Sequence, residues 1–97
     1  LENAIEVGNH LRSALESNLL HLQGVKEIRG QGLMLGIELE KPCGVIMNRA
    51  VEAGLLLSVT ADTVIRLVPP LIITKPEADE IVSILVPLIR SFLAEHA

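Results

Sequence analysis

The spacing of apolar residues along the chain alternates between three-to-four and two, and each change marks a new element. From Ala4 onward, Ile5, Leu11, Ala14, Leu15, Leu19 and Leu22 recur at helical intervals, with Glu2, Glu6, Arg12 and Glu16 on the other side. This predicts a helix that ends near Gln23-Gly24. Val25–Arg29 then reads as a short strand, Gly30-Gln31-Gly32 as a bend or bulge, and Leu33–Leu39 as a second strand. Alternation puts Leu33, Leu35, Ile37 and Leu39 on one face and Met34, Gly36 and Glu38 on the other. The missing side chain at Gly36 implies that something approaches the backbone there. A second helix, roughly Cys43–Ala53, carries Val45, Ile46, Arg49, Ala50 and Ala53 and stops at Gly54.

Leu55–Val59 reads as a third strand and Thr60–Thr63 as a connection of hairpin length. Val64–Val68 is a fourth strand, stopped by Pro69-Pro70, and Leu71–Ile73 continue extended. Thr74-Lys75-Pro76-Glu77 fits a capping box with proline inside the first turn. Ala78, Ile81, Val82, Leu85, Leu88, Ile89 and Phe92 form the buried stripe of a final helix. Pro87 falls inside that stripe, which predicts a kink and a lost bond to the Ser83 carbonyl.

The order α-β-β-α-β-β-α has short connections and no repeat. A strand, a crossover helix and a strand imply a parallel pair, and the return through Val64–Val68 can lie between them, antiparallel to both. The expected fold class is α+β: a two-layer domain over residues 1–97, helices on one face of a small mixed, mainly antiparallel sheet.

Composition narrows the functions. Leu, Ile and Val supply 36 of 97 residues, which excludes disorder. Phe92 is the one aromatic among Phe, Tyr and Trp, so no base-stacking platform exists, and a net charge of −4 argues against a phosphate-backbone binder. No nucleic-acid partner is expected. No apolar run reaches the roughly 18 residues of a membrane span, and no signal peptide opens the chain. With Cys43 as the one cysteine, the expectation is a cytoplasmic protein without a disulfide or a membrane partner. The chain begins with Leu inside a helical pattern that lacks a cap, so it reads as a piece of a longer protein, with a genuine C-terminus at Ala97.

Most chemically suggestive residues read as structural. His10, His21 and His96 have no ligand at metal spacing, so no metal site is expected. Cys43 begins a helix whose dipole could lower its pKa, but it has no partner histidine. Gly30-Gln31-Gly32 is too short for a phosphate loop, and Glu38 and Glu40 flank a strand end where exposure is the default. Arg66 is different. If Ile65 and Leu67 meet the helices, Arg66 points from the uncovered sheet face. There it is either solvated, or paired with a local acid such as Glu38, or an anion hook whose planar fork matches a carboxylate.

The segment Ile28-Arg29-Gly30-Gln31-Gly32-Leu33-Met34-Leu35-Gly36-Ile37-Glu38-Leu39, paired with Val64-Ile65-Arg66-Leu67-Val68-Pro69-Pro70-Leu71, resembles the C-terminal domain of class III pyridoxal-phosphate-dependent aminotransferases. The resemblance runs over essentially the whole chain and is greatest to the branch that acts on N-acetylornithine. Relatives using ornithine, succinylornithine, succinyldiaminopimelate or 4-aminobutyrate are similar here. It implies a fold-type-I homodimer several times this length, in which pyridoxal 5′-phosphate is bound by a large domain absent from this chain. It implies glutamate, 2-oxoglutarate and N-acetylornithine as substrates in arginine biosynthesis. No catalytic or cofactor-binding residue carries over: Lys26, Lys41 and Lys75 sit in no matching motif. Arg66 matches the family's arginine for the α-carboxylate of glutamate and 2-oxoglutarate, which a large-domain glutamate neutralises when the other substrate binds. An apolar patch around Met34, Val64 and Val68 is expected on the sheet face that the missing domain leaves open. The contrasting reading is a free-standing α/β binding or regulatory module that uses the same open face.

Overall fold

The computed structural model describes residues 2–70 and 72–97. Its elements are α1 (Glu2–Leu19), β1 (Val25–Gln31), β2 (Met34–Leu39), α2 (Val45–Glu52), β3 (Ser58–Thr60), β4 (Val64–Leu67) and α3 (Lys75–Glu95). Leu71, part of the extended run expected after β4, lies outside the described residues.

The sheet order is β1-β2-β4-β3, and every neighbouring pair is antiparallel. β2 and β3, on either side of α2, run the same way, with β4 between them. The crossover relation is therefore met without a parallel ladder, and the sheet is antiparallel rather than mixed.

One face of this sheet is the floor of the core. The cross-strand row Ile28–Ile37–Ile65–Val59 and the pair Leu35–Leu67 face Leu11, Leu15, Leu85, Ile89 and Phe92 of the helices. No polar side chain is buried among the described residues. α1 turns inward the expected Leu11, Leu15 and Leu19 but sets Val7 in place of Ile5 in its first turns. Val7, Leu11, Leu15 and Leu19 are buried at four-residue spacing, together with Ala4, while Ile5 is 51% exposed. α1 also stops at Leu19, and Gly24 at φ 100° leads into β1.

The first hairpin turns at Gly32-Leu33, between the paired Gln31 and Met34, and Gly30 stays within β1. Gly32 has φ 61°, the glycine-first preference of a two-residue type II′ loop. The tip packs under α1 so closely that a Cβ on Gly8 would lie 2.2 Å from the Gly32 carbonyl oxygen. In the second hairpin two consecutive non-glycine residues, Ala61 and Asp62, take φ 50° and 64°. A left-handed alanine costs roughly 1–2 kcal/mol, whereas asparagine tolerates the region through local hydrogen bonding. Ala61→Asn is therefore expected to stabilise the protein by about 0.5–1 kcal/mol, read as a higher urea midpoint at unchanged slope.

α3 begins with the expected capping box. The Thr74 hydroxyl accepts from the Glu77 N–H at 3.3 Å, and the Thr74 N–H donates to the Glu77 carboxylate at 2.9 Å. Thr74→Ala should cost about 1 kcal/mol of unfolding free energy in urea titrations. The Thr74 backbone N–H, then its hydroxyl, hold the Glu77 carboxyl below its ordinary value. A carboxyl with a depressed folded pKa contributes stability above its unfolded pKa and loses it as pH falls through the folded value. Protection factors of the amides in the first turn of α3 should accordingly fall as pH drops below the usual carboxylate range, and this fall should be absent in Glu77→Gln.

The helix continues through Pro87, which is exposed on its outer side. Its C-terminal end is tied to the rest by an Arg49–Glu95 fork, with N–O distances of 2.8 and 3.0 Å, and by the Lys41 ammonium donating to the His96 carbonyl.

Candidate functional site

The side of the sheet away from the helices is open, and one cross-strand row organises it. Arg29 of β1 pairs with Gly36 of β2, Gly36 with Arg66 of β4, and Arg66 with Ser58 of β3. Two guanidinium-bearing positions thus flank a residue with no side chain. They line an open trough of about 550 Å³ together with Met34, Thr60, Val64 and Val68.

Arg66 is exposed, and its neighbours Ile65 and Leu67 are buried, as alternation predicts. Among the described residues no acid lies within salt-bridge distance of it. Glu38 has another partner. Arg29 Nη1 donates to Glu38 Oε1 at 3.0 Å and to Glu27 Oε2 at 2.7 Å, while Lys26 Nζ stands 3.9 Å from Glu38 Oε2. Glu27 and Glu38 are directly opposed across β1 and β2, a like-charge pair that a bridging cation relieves. The Glu38 hydrogen bond, with smaller help from Glu27, raises the Arg29 pKa and keeps its charge in place.

What approaches the backbone at Gly36 is Val64 from one side and the stem of Arg29 from the other. A Cβ at Gly36 would lie 3.7 Å from Arg29 Cγ and 3.6 Å from Val64 Cγ1. Val64 fills the space beside this glycine and is only 8% exposed, so it does not join the expected apolar patch. Met34 and Val68, at 53% and 69% exposed, do.

The remaining candidates serve structure. His10 Nε2 meets Asp79 Oδ1 at 2.6 Å between α1 and α3, and His96 stacks on Phe92 with ring centroids 4.2 Å apart. His21 and Glu40 are exposed. Among the described residues no three His, Cys, Asp or Glu side chains are grouped to hold a metal. Cys43 lies before α2 rather than in it and is buried, so desolvation pushes its thiol pKa up, opposite to a helix-dipole effect. No helix among the described residues is long and apolar enough to cross a membrane.

Comparison with known proteins decides the family. Residues 1–89 match the model of Aminotransferase class-III. The chain belongs to the class-III aminotransferase family. Among class-III aminotransferases it is similar to acetylornithine aminotransferase 1 of Bordetella bronchiseptica, 60% identical over 96 residues that cover 99% of this chain and 24% of that protein. Among solved structures it is similar to ornithine delta-aminotransferase of Plasmodium falciparum, with TM-score 0.86 and 35% identity over 94% of this chain and 24% of that one. It is similar also to N-acetylornithine aminotransferase of Stenotrophomonas maltophilia, with TM-score 0.83 and 33% identity over 97% of this chain and 27% of that one. The chain spans about a quarter of the length of the curated relatives it matches.

The class-III family implies pyridoxal 5′-phosphate, and the described residues do not build a site for it. Lys26, Lys41 and Lys75 are all exposed, and no lysine lines the trough. What this segment offers is an oriented cation on an open sheet.

Proposed function

We propose that this chain is the C-terminal small domain of a pyridoxal-phosphate-dependent transaminase that moves the terminal amino group of N-acetylornithine to 2-oxoglutarate. Its part is to hold the α-carboxylate of glutamate and 2-oxoglutarate through Arg66, while a large domain elsewhere in the polypeptide binds the cofactor. Pyridoxal 5′-phosphate, when bound there, supplies the electron sink of the reaction.

One observation carries the reading: Arg66 stands on the uncovered face of a strand paired on both edges, with no acid beside it among the described residues. A guanidinium so placed presents a planar donor fork that a carboxylate meets in two parallel hydrogen bonds. Pairing on both edges of β4 keeps the fork's mounting fixed. The two acetylornithine aminotransferases named above support the choice of amino donor. The exposed Met34 and Val68 beside the trough fit a face that the rest of the polypeptide covers. The same reading makes the whole protein a cytoplasmic homodimer of arginine biosynthesis.

Amine-donor profiling of the full-length enzyme tests this. With 2-oxoglutarate as acceptor, N-acetylornithine should give the highest kcat/KM among N-acetylornithine, N-succinylornithine, succinyldiaminopimelate, ornithine and 4-aminobutyrate. A clear preference for ornithine or 4-aminobutyrate would remove the donor assignment, and no transfer from any donor would remove the activity.

A further inference from the structure

Glu38 sits between two competing arginines. It is paired across the ladder with Glu27 on one side and with Val64 on the other. Arg29 and Arg66 each stand two residues along those neighbouring strands, so both are diagonal to Glu38, a separation that long side chains span. By register alone Glu38 has equal access to either. The structure resolves the competition in favour of Arg29, whose Nη1 holds Glu38 at 3.0 Å and the opposing Glu27 at 2.7 Å. Gly36 leaves the surface over which Arg29 lies. Arg66 keeps no acid among the described residues.

We infer that Arg29 is a positioning residue for Arg66: by engaging Glu38 it keeps the Arg66 guanidinium available to a substrate carboxylate. This rests on the reading of Arg66 as the carboxylate site. Without Arg29, Glu38 is repelled by Glu27 across the strand pair, and Arg66 becomes the available cation on its other side. Lys26 competes only at 3.9 Å from a solvated position. An Arg66 occupied by Glu38 binds a carboxylate ligand in proportion to the fraction of time it is released.

The test uses glutarate, a five-carbon diacid with no amino or keto group, titrated calorimetrically into the full-length holoenzyme. Arg29→Ala should weaken glutarate by about three- to tenfold, with KM for 2-oxoglutarate rising in parallel and kcat nearly constant. The double variant Arg29→Ala with Glu38→Gln should return both constants to the parent values. Arg29→Ala with Glu27→Gln restores the same net charge but leaves Glu38 available to Arg66, so the loss should remain. Parent-like binding by Arg29→Ala, failure of the Glu38 double variant to recover, or equal recovery by both double variants would overturn the inference. Arg66→Ala is run alongside: if it too binds glutarate like the parent, the carboxylate reading itself falls. If it weakens binding while Arg29→Ala does not, only the role of Arg29 is lost.

Discussion

Arg66→Ala in the full-length enzyme should lower kcat/KM for glutamate and 2-oxoglutarate between roughly 30-fold and several thousand-fold, the ~2–5 kcal/mol cost of removing one partner from a desolvated, hydrogen-bonded charge pair. Both ends describe a site closed by the rest of the polypeptide; one as open as the trough seen here would lose only about 0–1 kcal/mol, less than tenfold. Arg66→Lys keeps the charge and loses the planar fork, so it should recover only part of the activity. N-acetylornithine, which reacts through its distal amine, should be less affected than glutamate. Steady-state kinetics with each substrate varied in turn separates these cases. Unchanged Michaelis constants and turnover for glutamate and 2-oxoglutarate would take Arg66 out of the site.

A second large effect is expected from a residue far from the trough. Gly8→Ala puts a methyl carbon 2.2 Å from the Gly32 carbonyl oxygen and 2.7 Å from its carbonyl carbon. Both are backbone atoms, so no side chain can swing aside, and α1 or the hairpin tip must move. Overpacking of this kind costs about 1–3 kcal/mol and sometimes more, and it outweighs the roughly 1 kcal/mol by which alanine favours a helix over glycine. The protein should unfold at a lower urea concentration, with increased amide exchange along the β1–β2 hairpin. Gly44→Ala, where a Cβ meets nothing within 4 Å, should change stability by only a few tenths of a kcal/mol. Equal stability of the Gly8 variant and its parent would show that α1 does not sit against the hairpin tip as described.

Local chemistry was the most legible part of the fold. Thr74 and Glu77 announce the start of α3 because a capping box is closed within four residues and needs no tertiary partner. Connection lengths and crossover geometry also allowed β4 to lie between β2 and β3, as it does, without fixing the strand order. The first turn of α1 was not legible. Ile5 and Val7 are both apolar, and only packing against the sheet decides that Val7 is the one turned inward.

The site was half legible. Alternation placed Arg66 on the open sheet face, since Ile65 and Leu67 are both buried, but left its role open. Arg29 was missed, although it stood in the same motif. Val25 and Ile28 are both buried although three residues apart, which an unbroken strand does not allow, and the register shift between Val25 and Glu27 makes it possible. The signal that would have found Arg29 is the turn. Once Gly32-Leu33 is recognised as a two-residue loop, counting back from Gln31 and Met34 places Arg29 opposite Gly36. Which arginine takes Glu38 is a matter of competing side chains, and nothing in strand alternation distinguishes them.

The ladders on either side of β4 have a consequence for how substrate choice can change. Shifting Arg66 by one position would slip both of its strand pairings together and turn Ile65 and Leu67 out of the core, a change no single substitution tolerates. On the proposed reading the guanidinium is an anchored landmark, and altered preference for one amine over another would arise in the walls built around it.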